Sequence, residues 1–215
     1  MTNKQAKMWQ GDFGTEYIER NYYSPAELDG FYKRNFGSTR TQFNTAFLGK
    51  LNRDIRILEV GCNVGNQLLL LQKMGFRNLY GIEINKVAIE KAKTRGQGLN
   101  VVYGEAQDIP FKDGFFDLVF TAGVLIHIPP KDIKRVMGEI ARCSAKYVWG
   151  CESYAKEYQP VVYRGNKNLY WKTDFCSLYE QYCPSLRRSK VQMMKYLSQD
   201  LYDYMYLLKK KGSNA

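Results

Sequence analysis

Residues 57–66 read Ile57-Leu58-Glu59-Val60-Gly61-Cys62-Asn63-Val64-Gly65-Asn66, and this stretch decides the fold. An apolar run ends at Gly61, a turn reaches Gly65 four residues later, and an amphipathic segment follows at once. That is the pattern of a buried strand feeding a helix whose first amides face a ligand. Glycine is needed where a Cβ would meet that ligand or block the backbone path. Asparagine tolerates positive φ, so Asn63 lets the turn keep its shape while adding a side-chain amide.

Working outward, short apolar runs alternate with amphipathic segments, which predicts an α/β fold of parallel strands and flanking helices. Strands are expected near 56–60, 79–83, 100–103, 116–121 and 146–151, with helices near 65–74, 86–95 and 131–143. The first fifty residues read as helical. Ser24-Pro25 is an N-cap with proline at the first helical position, and Phe43, Ala46, Phe47 and Leu51 recur at helical spacing over 39–51. Beyond Pro160 the texture becomes tyrosine-rich and alternating, and Lys190–Tyr196 with Leu201–Leu208 suit an antiparallel pair closing the sheet. There is no internal repeat and no low-complexity linker.

Two further strand ends carry acids. Glu83 closes the run LYGIE, where doubly wound folds place a carboxylate on ribose hydroxyls. Glu105 follows the strand ending at Tyr103; it suits the amino group of an adenine, with a main-chain amide near Ala106 meeting the ring. Three neighbouring strand ends, each suited to a different part of one molecule, point to an adenine nucleoside. The turn continues Gly65-Asn66-Gln67-Leu68 without the Gly-Lys-Ser/Thr of a phosphate-gripping loop. Asn66 also stands where a nicotinamide enzyme needs glycine or alanine, so both alternatives recede.

Taken in order, EVGCNVGN, YGIEIN, GEAQDIPF and FDLVFTAGVLIHI resemble class I S-adenosylmethionine-dependent methyltransferases over residues 55–152. The resemblance implies a Rossmann-like, seven-stranded, mostly parallel sheet with its last strand antiparallel, and S-adenosyl-L-methionine as cofactor. It implies that Gly61, Asn63 and Gly65 serve the methionine end, Glu83 the ribose, and Glu105 and Ala106 the adenine, with Glu59, Asn66 and Ile84 among the other cofactor contacts. Thr121 is implied as a further cofactor contact. Many members have glycine in place of Asn63. Residues 1–50 become an N-terminal helical cap and 51–215 the methyltransferase domain, with a substrate-contacting insert at about 153–185.

A narrower resemblance runs through Trp9–Asn21, the GCNVGN turn, Tyr163-Arg164-Gly165 and Trp171–Phe175. These segments are similar to methyltransferases associated with pseudaminic acid biosynthesis, which implies a sugar or nonulosonic sugar-acid acceptor from surface glycan biosynthesis.

His127, the only histidine, follows the fourth expected strand in AGVLIHIPP. It is the candidate general base, because an ordinary imidazole pKa near 6.5 suits neutral pH, with pocket shaping as the alternative. Tyr17, Arg20 and Asn21 sit at helical spacing, and Arg20 could pair with the methionine carboxylate; a solvated helix face is the competing account. Trp9, Phe13 and Tyr17 would share one helical face, as a lid over the cofactor or as ordinary packing. Arg164 and Lys172 could meet a carboxylate or phosphate of the acceptor, and the tyrosines from 154 to 206 are assigned to packing first.

Composition trims the remaining possibilities. A net charge of +11 on 215 residues favours a small anionic partner. The lysines and arginines are scattered, so a nucleic-acid groove is the weaker account. Five cysteines without a Cys-x-x-Cys pair, beside one histidine, point away from structural zinc and from a disulfide framework, and no metal site is expected. No 18-residue apolar run exists and the N-terminus lacks a signal-peptide core, so the expectation is a cytoplasmic protein without membrane association. An RNA or protein methyltransferase and a non-catalytic cofactor-binding module remain the rivals, and oligomeric state is not legible.

Overall fold

In the computed structural model, which describes residues 4–212, Arg56–Val60 forms β1 with its last four side chains buried. β2 (Asn78–Glu83) pairs parallel to β1, with Leu58 opposite Tyr80. β3 (Asn100–Tyr103) pairs parallel to β2, with Glu83 opposite Tyr103. Two helices connect them, α5 (Asn66–Lys73) and α6 (Lys86–Arg95). With the N-terminal helices they form one compact unit, residues 1–105.

Those N-terminal helices are α1 (Lys4–Gln10), α2 (Asp12–Arg20), α3 (Pro25–Phe36) and α4 (Arg40–Leu48). Ser24 and Thr39 each close a capping box, with Glu27 and Gln42 at the third helical position, so two orphan amides are satisfied reciprocally at each start. The helix expected to reach Leu51 stops at Leu48. Arg53 explains the stop: its guanidinium takes the carbonyls of Leu48 (3.2 Å), Gly49 (2.9 Å) and Leu51 (2.7 Å), which a continuing helix would have used itself.

Residues 106–215 form the second unit. β4 (Phe116–Ala122) and β5 (Ser144–Ser153) run parallel, joined by a 3₁₀ turn at Leu125–His127 and by α7 (Pro130–Cys143). β6 (Gln159–Tyr163) and β7 (Asn166–Lys172) make a hairpin in a two-stranded sheet of their own. α8 (Phe175–Tyr182) then leads into β8 (Leu186–Lys195) and β9 (Tyr202–Lys210). β9 is antiparallel to both neighbours, β5 and β8, as the expected closing pair requires. The seven-stranded order is β3-β2-β1-β4-β5-β9-β8, mostly parallel and with flanking helices, so the expected Rossmann-like fold is present.

Gly150 shows how tightly β5 and β9 fit. It faces Tyr206 in register, and a Cβ there would run into the ring of that tyrosine, which is 1% exposed. Gly150→Ala is therefore an overpacking change worth about 1–3 kcal/mol. The expected outcome is a lower denaturant midpoint with an unchanged slope; an unaltered midpoint would mean that Tyr206 moves aside freely.

Candidate functional site

The turn after β1 is bent around β2. The amides of Gly61 and Cys62 both donate to the carbonyl of Ile82, at 2.9 and 3.0 Å. Gly61, Asn63 and Gly65 all adopt positive φ, at 70°, 47° and 77°. Asn63 thus occupies the left-handed region that asparagine tolerates and most residues avoid. Cys62 points the other way, into the sheet, where its Sγ fills the space that a Cβ on Gly81 would need.

Glu83 holds this turn to the next one. Its Oε2 accepts from the amide of Asn63 (2.9 Å), and its Oε1 accepts from the amides of Ile84 (2.8 Å) and Asn85 (2.9 Å). Burial pushes the carboxyl up, while the three amides pull it back down. One acceptor position remains on Oε2, since a carboxylate offers about four. Asn85 caps α6 through Val87 and Ala88 and donates Nδ2 to the carbonyl of Trp9 at 3.0 Å, which joins α1 to the start of α6.

Several buried polar atoms in this unit lack a hydrogen-bond partner among the described residues: Oδ1 of Asn63, Oε2 of Glu59, and Nε and Nη2 of Arg20. Glu59 is 3% exposed, and burial raises its pKa well above the ordinary carboxylate value against the pull of Arg40. Arg20 ends α2, and its Nη1 reaches Glu16 at 3.5 Å. Two acceptors and two cationic donors left unmatched are costly unless a polar ligand completes them.

Other expected contacts have partners within the protein. Asn66 donates Nδ2 to the carbonyl of Asn21 (2.7 Å) and accepts from Arg95 (2.7 Å) and the amide of Tyr23 (3.4 Å), so its side chain braces the segment after α2. Glu105 accepts from the hydroxyl of Tyr103 at 3.1 Å, which in turn accepts from Gln10 at 3.1 Å. Trp9, Phe13 and Tyr17 do not share one continuous helix, because the chain breaks at Gly11 between α1 and α2. The rings still meet, with Phe13 and Tyr17 each 5.2 Å from Trp9, edge to face. Asn21 lies past the end of α2 and returns its amide to the carbonyl of Tyr17 at 2.9 Å. The amide of Ile84 is committed to Glu83.

In the second unit, Ala106 is half-buried and Thr121 is buried on β4 opposite Gly150. Nδ1 of His127 lies 2.8 Å from the carbonyl of Leu169. A carbonyl only accepts, so the proton is on Nδ1 and the lone pair on Nε2. Burial lowers the pKa of this ring to about 4, well under the value near 6.5 that made it an attractive base. Arg164 is exposed at φ 49° in the two-residue loop of the β6–β7 hairpin, followed by Gly165 at φ 76°. Lys172 lies at the other end of β7, opposite Gln159. Six strand residues separate it from the loop, roughly 20 Å at strand rise, so Arg164 and Lys172 cannot grip one small anion together.

Sequence reading missed Glu152. It stands near the end of β5, 2% exposed, and accepts from the amides of Val124 (3.2 Å) and Ile126 (3.4 Å). Burial pushes its carboxyl up to about 7. The signal was present: YVWGCE is an acid closing an apolar strand, as LYGIE is at Glu83. Arg95 was missed as well; it donates to the carbonyls of Val64 (2.9 Å) and Tyr23, and its guanidinium lies 4.1 Å from the ring centre of Tyr22.

Comparison with known proteins agrees with this geometry. Residues 58–146 match the family model described as a methyltransferase domain. A protein of Encephalitozoon cuniculi that carries a provisional methyltransferase name is 25% identical over 170 residues, 75% of each chain. Cycloartenol-C-24-methyltransferase 1 of Oryza sativa is 30% identical over 110 residues, 44% of this chain and 30% of its own. Apart from the Encephalitozoon protein, the matched stretch spans 25% to 40% of the curated relatives' lengths. The fold is shared with the Burkholderia thailandensis 1,6-didemethyltoxoflavin-N1-methyltransferase solved with S-adenosylhomocysteine. That match has a TM-score of 0.71 and 14% identity over 98% of this chain and 90% of the other. Magnesium protoporphyrin IX methyltransferase from Synechocystis PCC 6803, also holding S-adenosylhomocysteine, gives a TM-score of 0.67 at 14% identity, covering 96% and 98%. No helix among the described residues is long and apolar enough to cross a membrane.

Glu152 and His127 should bend stability in opposite directions with pH. The carboxyl titrates at 4.5 unfolded and about 7 folded, so between those values the folded state holds the extra proton and stability falls as pH rises. The imidazole titrates at 6.5 unfolded and about 4 folded, so its contribution is present above 6.5 and lost as pH falls toward 4. Each is worth ~3 kcal/mol across its window. In chemical denaturation, the stability of Glu152→Gln relative to wild type should rise by that amount from pH 4.5 to 7. That of His127→Gln should fall by a similar amount from pH 4 to 6.5, and differences independent of pH would contradict both assignments.

Proposed function

We propose that the chain is an S-adenosylmethionine-dependent methyltransferase acting on a hydroxyl or amino group of a small molecule, a sugar or nonulosonic sugar-acid intermediate of surface glycan biosynthesis. The observation that carries the activity is the left-handed turn at Gly61, Asn63 and Gly65 beside the unmatched polar atoms of Arg20, Glu59 and Asn63. The match of residues 58–146 to a methyltransferase domain supports it. The finer reading is supported by the resemblance of the 9–21 and 163–175 segments to pseudaminic acid-associated methyltransferases. The charge of +11, which draws anions, also favours it.

In this reading Arg20 binds the methionine carboxylate, Glu59 and Asn63 receive its ammonium, Glu83 receives a ribose hydroxyl on Oε2, and Glu105 faces the adenine amino group. When bound, the cofactor supplies a methyl group already activated by the sulfonium charge. The protein's share is alignment and exclusion of water. His127 stays neutral down to about pH 4, well below the range in which a general base works best near neutral pH. Its role is therefore to orient the acceptor through Nε2. Of the two basic candidates, Arg164 or Lys172 meets the acceptor's anionic group, not both. The segment 153–185 contacts the substrate, and the chain works in the cytoplasm.

Incubation with labelled cofactor and nucleotide-linked sugar acids, followed by mass analysis, should reveal an added methyl group. Transfer to RNA or protein alone would replace the acceptor class, and binding without any product would leave a non-catalytic module. Cofactor affinity tests the site directly. Glu83→Ala removes an acceptor and frees the amide of Asn63, so Kd should rise roughly 10- to 100-fold by calorimetry. Affinity within error of wild type would remove Glu83 from the site.

A further inference from the structure

The carboxyl of Glu152 extends the contact between β5 and β4 past the last paired residues, Ala122 and Cys151. Its oxygens accept from the amides of Val124 (3.2 Å) and Ile126 (3.4 Å), in the segment that leaves β4 and winds into the 125–127 turn. His127, at the end of that turn, donates Nδ1–H to the carbonyl of Leu169 on β7 at 2.8 Å. Its ring lies 5.4 Å from Tyr163 on β6 and 5.5 Å from Tyr170 on β7. Among the described residues the β6–β7 hairpin pairs with no other strand, and this turn is one of the places where it is held.

Tyr163 and Tyr170 stack at 5.5 Å and 17°. A flat ligand held between two rings needs them about 7 Å apart, twice the contact distance. The three rings therefore form a wall that a ligand can lie against, not a slot that it enters. A wall serves only if its orientation is kept, and the connection from Glu152 through the turn to Leu169 keeps it.

We infer that Glu152 is a positioning residue of the methyl-transfer site: it holds the 124–127 turn so that His127, and through it the Tyr163–Tyr170 wall, is presented to the acceptor. This rests on His127 being an acceptor-side residue, as argued above. Titratable groups facing Glu152 are the phenols of Tyr170, Tyr179 and Tyr206, all pushed up by burial. Those facing His127 are Tyr163 and Tyr170.

His127 is the only histidine in the chain, so full-length protein carrying ¹⁵N-histidine reports a single ring by NMR. The wild-type ring should be protonated on Nδ1 and neutral until the pH falls toward 4. In Glu152→Ala the amides lose both acceptors and the turn slackens; the ring should show mixed tautomers and a pKa at least one unit higher. Glu152→Gln keeps one carbonyl oxygen and should lie between the two, a graded rescue that bulk destabilisation would not produce. A Glu152→Ala ring with the wild-type signature overturns the proposal. If that variant does not fold, a Glu152→Gln ring with the wild-type signature does the same. Calorimetry with S-adenosylmethionine on the same samples separates the two claims. Wild type that fails to bind removes the methyltransferase reading, whereas binding with an unresponsive ring removes only the role of Glu152.

Discussion

The carboxylate of Glu83 organises the first unit. By accepting from Asn63, Ile84 and Asn85 it ties the turn after β1 to the turn after β2, and each of those amides would otherwise be a buried donor without a partner. Asn63 keeps its φ of 47° against the ordinary preference of an L-residue because its amide has this acceptor. Asn85, pinned in the same way, is free to cap α6 with Oδ1 and to hold α1 with Nδ2. A single carboxyl side chain thus sets the turn, the helix start and the docking of the N-terminal segment.

The same device recurs in the second unit with a different output. Glu152 also closes an apolar strand and also collects backbone amides, but its partners lie just past the end of β4, in the segment that leads to His127. Strand ends are where main-chain donors run out of ladder partners, so a buried glutamate there satisfies two or three at once. In both places burial raises the carboxyl and the amides lower it. Glu152 settles at about 7.

Most of the fold was legible because its signals are local. The strand–turn–helix punctuation at 57–66, the capping residue Ser24, and the alternation over 190–208 each depend on neighbours within a few residues. What escaped depends on partners far along the chain. Arg53 ends α4 early by capturing three carbonyls, which helical spacing over 39–51 does not register. Asn66 reads as a ligand contact in the motif, yet its partners are Asn21, Tyr23 and Arg95, up to 45 residues distant. Arg164 and Lys172 look alike as basic residues of one segment, and only the hairpin register puts them at opposite ends. Glu152 is the exception. Its local signal matched that of Glu83, and it was passed over because nothing in the resemblance asked for an acid there.

The positive charge requires a similar separation of count from use. Arg53, Arg95 and Arg142 are spent on main-chain carbonyls: Arg53 at the end of α4, Arg95 between the Gly65 turn and Tyr23, and Arg142 on Ile109 and Phe111. A guanidinium forked onto carbonyls still contributes to the long-range field but has fewer donors left for a phosphate. Nucleic acid is gripped by many such donors acting together along a backbone. These three arginines keep the attraction and give up part of the grip. That balance is the one the proposed small anionic acceptor would use, drawn in by the field and held by one or two groups.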